Sequence, residues 1–220
     1  MAVMKLQKSP TIRRLPTYLY KLTEMHKAGV AIVATPELAR YMNLAEIVIR
    51  KDLAITGVTG QPGVGYRVAE LIDAITRFLK WDRPAEAVLA GAGSLGHALL
   101  GYEGFAGYGL RIVAAFDADP AKIGVQAHGR EILDIALLPE WLKDHPVSMG
   151  IICVPADCAQ SVADLMVQGG VRGIWNFANV SLKVPENVVV QREVIAGGLA
   201  VLSVKLDRMG EKDAEKEKNL

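Results

Sequence analysis

The sequence predicts an α/β chain, an N-terminal winged helix-turn-helix followed by a doubly wound parallel sheet. Three observations predict it. Residues 88–99 read VLAGAGSLGHAL, an apolar run followed by G-x-G-x-x-G and a helix-like pattern, and from there strand-like and helical segments alternate. That signature opens a nucleotide-binding unit, yet it begins at residue 88 of 220, so a folded module stands in front of it. Charge divides at nearly the same place: residues 1–80 carry 12 Lys/Arg against 6 Asp/Glu, a net +6, whereas residues 81–220 carry 13 against 18, a net −5. A basic module ahead of an acidic remainder suits a partner that is a polyanion.

The front module reads as three helices and a glycine-rich turn. In residues 11–28 the apolar positions Ile12, Leu15, Leu19, Leu22 and Met25 recur at helical spacing, and Gly29 ends the run. Thr35-Pro36-Glu37 predicts a helix start with Thr35 as N-cap and Pro36 as the first helical residue, and Asn43 breaks that helix. AEIVIRKDLAI, residues 45–55, predicts a third helix that Gly57 stops. GVTGQPGVGYRV, with Gly57, Gly60, Gly63 and Gly65, suits a β-turn or hairpin, the wing. A helix from Arg67 onward leads to a linker at Trp81-Asp82-Arg83-Pro84. The second and third helices form the reading pair, with Arg50 and Lys51 as long cations on the recognition helix; a solvated charged face is the plain alternative.

The remainder predicts strands at 87–90, 110–116, 149–154, 171–177 and 188–190, with helices after the glycine loop and over 157–168. In that loop Gly91 permits the tight turn, Gly93 lets the backbone approach a pyrophosphate, and Gly96 lets helix and strand pack closely. Ala92, Ser94 and Leu95 complete the cradle, whose helix start offers N–H groups to phosphate. Asp117 ends the next strand, 21 residues after Gly96. A carboxylate there accepts hydrogen bonds from an adenosine ribose and repels a 2′-phosphate, which favours NAD(H) over NADP(H). Asp117 also suits an N-cap for the helix after Asp119-Pro120, and the two roles can be divided between Asp117 and Asp119.

Several classes are disfavoured. A dehydrogenase needs an acid or base beside the nicotinamide, and His26, His97, His128 and His145 have no partner that the sequence supplies, so no catalytic residue is expected. Cys153 and Cys158 lack nearby histidines, so no metal is expected, and two cysteines make no disulfide framework; Cys153, within GIICV, reads as a buried thiol. No apolar stretch reaches spanning length and residues 1–15 have no apolar core, so a cytoplasmic chain without membrane contact is expected.

IRKDLAITGVTGQPGVGY, AGAGSLGHALLGYEGF, FDADPAKIG and GIWNFA, in this order, resemble the Rex family of redox-sensing transcriptional repressors over residues 10–205. The resemblance implies homodimers with an N-terminal winged helix, a Rossmann domain and a last helix swapped between subunits. It implies an inverted-repeat double-stranded DNA operator, release by NADH and competition from NAD+. Carried over by position, Arg50 and Lys51 contact DNA, joined by Arg13, Thr35, Ala45, Glu46 and the wing residue Gly63. Gly91, Ala92, Gly93, Ser94, Leu95, Gly96 and Asp117 hold the dinucleotide, and Lys122 lies near its adenosine end. Tyr102, Val154, Pro155, Asn176 and Phe177 lie towards the nicotinamide.

The implied domains are 1–82 for DNA, 83–190 for NAD(H), 191–209 for the dimerisation helix and 210–220 for a charged tail. The chain departs from the family at three places. Gln61-Pro62 stands where many members carry a wing cation, and Tyr20 and Val194 stand where an arginine and an aspartate work with the tyrosine matched by Tyr102. The redox response is therefore expected to run through other contacts or to be weaker. A small NAD-dependent oxidoreductase, and a nucleotide-binding regulator with a protein partner, are the alternative readings.

Overall fold

A computed structural model of the protein describes residues 9–218, with side chains from residue 10 to 209. The first eight residues of the expected DNA-binding part, and the side chains and last two residues of the expected tail, lie outside it. The chain divides into two compact units, one up to Pro84 together with Gly107–Gly109, the other formed by Ala85–Ala106 and the chain from Leu110 onward.

The first unit contains α1 (Ser9–Lys27), β1 (Ile32–Val33), α2 (Thr35–Met42), α3 (Glu46–Ala54), β2 (Tyr66–Arg67) and α4 (Val68–Phe78). Leu15, Leu19, Leu22 and Met25 are buried on one face of α1, as their spacing predicts, and pack with Leu38, Ile49, Leu53, Leu71 and Ile75. One expectation needs correction. Thr35 is not the N-cap of α2: Ala34 is, in extended backbone after β1, and Thr35 is the first helical residue. The helix starts one residue early because β1 delivers the chain already extended at Ala34, and Pro36 still falls where no N–H is needed. The glycine-rich segment turns back on itself as expected. It closes on itself only at a Gln61–Gly65 bridge, and β2 pairs instead with β1, Val33 opposite Tyr66.

The second unit contains β3 (Ala85–Ala90), α5 (Ser94–Leu100), α6 (Gly104–Gly107), β4 (Leu110–Asp117), β5 (Gln126–Ala127), β6 (Arg130–Asp134), α7 (Leu138–Asp144), β7 (Met149–Ile152), α8 (Ala159–Gln168), β8 (Gly173–Asn176), β9 (Val189–Arg192) and α9 (Ala196–Lys218). One seven-stranded sheet runs β5-β6-β4-β3-β7-β8-β9, parallel except for edge strand β5. The chain leaves β3 to one side for β4 and to the other for β7. The crevice of an open sheet forms at such a reversal, outside the carboxyl ends of the strands. Val88, Ala90, Phe116, Ile152 and Ile174 build the core beneath it.

The C-terminal boundaries differ from expectation. Residues 191–192 belong to β9, and the last helix begins at Ala196 and runs to Lys218 instead of ending at 209. Trp175–Asn176 pair with Gln191–Arg192, and this ladder holds the strand past the expected boundary. The charges after residue 209 include opposite-charge pairs three apart, Lys212 with Glu215 and Glu215 with Lys218, a spacing that supports helix.

Candidate functional site

In α3 helical phase separates Arg50 and Lys51 from their neighbours. Ile49, Asp52 and Leu53 are buried, which leaves Arg50 and Lys51 exposed. Asp52 is 1% exposed, and three side chains of α1 donate to its carboxylate: Thr11 Oγ1 at 2.8 Å, Arg14 through Nε at 2.6 Å and Nη2 at 2.7 Å, and the Tyr18 hydroxyl at 3.0 Å. Burial alone raises the carboxyl's pKa; the hydrogen bonds, those of Arg14 foremost, outweigh it and hold Asp52 below the usual carboxylate range. Burial and the bond to Asp52 push the Tyr18 phenol up. α3 is thereby fastened to α1, which fixes where Arg50 and Lys51 face. Arg50 also pairs with Glu46 at 3.2 Å, and both are exposed, so the contact is worth only ~0.3–0.5 kcal/mol and yields readily to a phosphate.

Helices α2 and α3 begin after Ala34 and Ala45, and no side chain caps either one. Their leading N–H groups, at Thr35 and Glu46, are therefore available to an outside acceptor. Arg13 is exposed beside the engaged Arg14. At the wing Gly63 has φ +72, and a Cβ there meets nothing within 4 Å. Gly65, φ +116, lies so close to the Val33 carbonyl that a Cβ would strike it. Gly63 shapes the tip, and Gly65 lets the wing lie against β1.

The three glycines of the loop differ in what demands them. At Gly91, φ +98, a Cβ would meet the Cys153 carbonyl at 2.6 Å and Val154 Cγ1 at 2.8 Å. At Gly96 it would strike the Gly91 carbonyl oxygen. Both are required by packing within the protein. At Gly93, the N-cap of α5, a Cβ meets no atom within 4 Å and φ is an ordinary −75°. The fold does not require glycine there, and a bare backbone at that point is what close approach by a pyrophosphate would need. On this observation the cradle fits a dinucleotide.

Asp117 closes the other side. Its Oδ2 accepts the Ala92 N–H at 2.7 Å and Lys122 Nζ at 3.1 Å, and its Oδ1 accepts the Asp119 N–H at 2.9 Å. Burial opposes its charge, but the Asp119 N–H, Lys122 and the Ala92 N–H hold the carboxyl below its usual value. A carboxylate offers about four lone-pair positions, and these partners leave one on Oδ1 for a ribose hydroxyl. Asp119 shares the turn role, its Oδ1 accepting the Ala121 N–H at 3.0 Å.

At the other end of the crevice Val154 and Pro155 follow β7, and Val154 lines the turn at Gly91. Tyr102 is 51% exposed and begins a run of ring contacts: Tyr102–Phe105 at 4.9 Å, Phe105–Trp175 at 5.9 Å and Trp175–Phe177 at 4.9 Å. Trp175 Nε1 donates to Glu193 Oε1 at 3.4 Å, one residue before Val194. Asn176 is fully buried, its Nδ2 donating to the Val180 carbonyl and its Oδ1 accepting the Ala178 N–H. Its amide therefore shapes the loop that presents Phe177.

Tyr20 and Val194, the positions of the family departures, are 58% and 44% exposed. Cys153 is half-buried, and burial pushes its thiol up to about 12; Cys158 is exposed. Sequence reading missed the Asp52 cluster, the ring series and a contact between His97 and His128, all of which join residues distant along the chain. No helix among the described residues is long and apolar enough to cross a membrane.

Known proteins match both units. Residues 9–54 match the family described as putative DNA-binding protein N-terminus, and residues 82–180 match the CoA binding domain family. The redox-sensing transcriptional repressor Rex of Treponema denticola is 40% identical over 207 residues, covering 94% of this chain and 99% of its own. The Rex of Clostridium botulinum (strain Alaska E43 / Type E3) is 42% identical over 195 residues, covering 89% and 93%. Among solved structures, RSP in complex with β-NAD+ and operator DNA matches with TM-score 0.84 at 32% identity, covering 97% of this chain and 98% of that one. RSP in complex with β-NADH matches with TM-score 0.85 at 30% identity, covering 94% and 97%. With likeness of this depth across reading helices and glycine loop alike, the chain belongs to the Rex family of redox-sensing transcriptional repressors.

Proposed function

We propose that this protein is an NADH/NAD+ ratio-sensing transcriptional repressor, a regulator and not an enzyme. It binds an inverted-repeat operator as a homodimer and leaves it when NADH is bound. Gly93 is the observation that carries the reading: a loop glycine that the packing of the protein does not require, in the same chain as an anchored cationic helix. The solved relative RSP was captured with β-NAD+ and operator DNA together and with β-NADH. The chain acts in the cytoplasm, where the operator and the NADH pool are found.

Arg50, Lys51 and Arg13, with the helix starts at Thr35 and at Ala45-Glu46, meet phosphates and base edges, and Gly63 brings the wing tip close. The dinucleotide lies against Gly91–Gly96, with its ribose on Asp117 and its adenosine end towards Lys122. Its nicotinamide ring is cationic in NAD+ and neutral in NADH. Tyr102, Val154, Pro155 and Phe177 offer that ring a largely apolar wall, which prefers the neutral form. A ligand shifts a two-state dimer only by its differential affinity for the two states, and the wall supplies that difference. Asn176 acts by holding the Phe177 loop in place.

Helix α9 supplies the dimer. Ile195, Leu199, Leu202, Leu206 and Met209 are exposed and recur at alternating steps of four and three, the seam of a helix that packs on another. We infer that α9 is exchanged between subunits. Two reading helices then meet successive major grooves ~34 Å apart.

Fluorescence anisotropy on an inverted-repeat operator, titrated separately with NADH and NAD+, tests the reading. NADH alone should release the DNA, and affinity should fall steeply with salt. Binding that neither nucleotide alters overturns the sensing half. No binding at any salt overturns the DNA role and favours a protein partner, and turnover of NADH with a substrate favours an oxidoreductase.

A further inference from the structure

We propose that His97 and His128 form a two-imidazole site for a nitrogen-seeking divalent transition metal, of which zinc and nickel are representative. His97 Nδ1 and His128 Nε2 lie 3.2 Å apart, with ring centroids 4.5 Å apart and planes inclined at 60°. Two metal–nitrogen bonds of ~2.0–2.1 Å at a tetrahedral angle place their nitrogens ~3.3–3.4 Å apart. A square arrangement places them ~2.9 Å apart. The observed separation lies between the two.

The local backbone admits this pair at two places. His128 and Gly129, φ +48 and +74, are the two central residues of the turn between β5 and β6. Such a turn ordinarily takes Asn, Asp or Gly at its first central position, because a side chain there is strained. The His128 ring then lies over Gly101, where a Cβ would strike it, so the bare glycine leaves room for the imidazole. Gly101 caps the end of α5 opposite the glycine loop, and the turn lies at the start of β6, whereas Asp117 pairs with Asp134 at its end. The His128 ring thus lies at the end of α5 away from the glycine loop, while the His97 N–H donates to the Gly93 carbonyl within the first turn of that helix.

The chemistry selects the ion. In the protein alone one of the facing nitrogens carries a proton and the other accepts it. With both protons on the outward nitrogens, His97 Nδ1 and His128 Nε2 each present a lone pair to one metal, with no net loss of a proton. Arg130 Nη1 donates to the His128 carbonyl oxygen at 3.1 Å and adds a positive charge nearby. That charge disfavours ions held by charge alone, such as magnesium and calcium, and leaves those that prefer imidazole. Among the described residues no third His, Cys, Asp or Glu completes a cluster, so water fills the remaining positions and the ion exchanges. The expectation of no metal rested on the two cysteines; His97 and His128, 31 residues apart, carry no metal-ligand spacing in the sequence.

The test is calorimetric titration of the full-length protein with zinc chloride, then nickel chloride, alongside His97→Gln and His128→Gln. The expected result is one ion per chain, at least tenfold weaker in each variant, with no heat from magnesium chloride. In the wild-type protein, which needs no variant to fold, zinc should move the ring resonances of two of the four histidines. Absence of saturable zinc and nickel binding overturns the proposal. So does affinity undiminished in both variants, or zinc-induced shifts confined to His26 and His145.

Discussion

The Asp52 carboxylate takes the Arg14 guanidinium edge-on, Nε to one oxygen at 2.6 Å and Nη2 to the other at 2.7 Å. A bidentate ion pair therefore ties the first helix to the helix that carries Arg50 and Lys51. Removing one partner of a buried pair costs about 3–5 kcal/mol, and the lower figure applies because the Arg14 side chain is 29% exposed. Asp52→Ala should destabilise the first unit by about 3 kcal/mol in urea denaturation and weaken operator binding, with NADH affinity retained.

Acid should act through the same group. The Asp52 pKa is lowered in the folded protein. The pair's contribution is therefore complete above the unfolded carboxyl pKa, ~3.9, and is lost as pH falls through the folded value. Wild-type stability should decline on acidification below about pH 4, whereas Asp52→Asn should start lower at neutral pH and decline less. Melting curves from pH 7 to pH 3 read both slopes, and equal slopes would assign the acid sensitivity elsewhere.

Gly93→Val and Gly96→Val should separate ligand from fold. The first adds a side chain where no protein atom lies within 4 Å of the Cβ, so its melting temperature should fall only by the small loss of a favourable N-cap residue while NADH binding is lost. The second drives a side chain into the Gly91 carbonyl and should cost several degrees of melting temperature even without nucleotide. A Gly93 variant that still binds NADH would remove the main support for the cradle.

Asp117→Ala removes an acceptor that joins the Ala92 N–H, Lys122 and the Asp119 N–H. Hydrogen bonds to charged groups are worth ~1.5–3 kcal/mol each. NADH affinity should fall ~10- to 100-fold, with NADPH less affected because the carboxylate no longer repels its 2′-phosphate. Parallel fluorescence titrations of the two nucleotides give the ratio.

Arg50→Ala and Lys51→Ala should each weaken operator binding and lower the slope of log affinity against log salt by ~0.9 where a phosphate contact is lost. A loss of affinity with unchanged slope would assign that side chain to a base edge.

Much of this architecture is legible in the residues because its signals are local. The α1 stripe and the glycine loop between strand and helix announce themselves within a dozen positions. The hairpin of β5 and β6 does not, because its strands are short and its turn carries His-Gly in place of Asn-Gly. Strand β1, two residues long, forms only because β2 returns to it from more than thirty residues away. Asp52 sits beside Arg50 and Lys51 like a third surface charge, and its buried role depends on donors 34 to 41 residues upstream. Asn176 resembles a ligand contact until its amide is seen closing its own loop.

Eight large apolar side chains between Val194 and Met209 stand 44–67% exposed on a single chain. A second copy covering this seam, as proposed, would tie the stability of the fold to the number of copies in the cell. At low copy number the seam stays wet, and chaperones and proteases have a handle on it. A regulator built this way has a floor of abundance, below which its operators stand empty whatever the redox state.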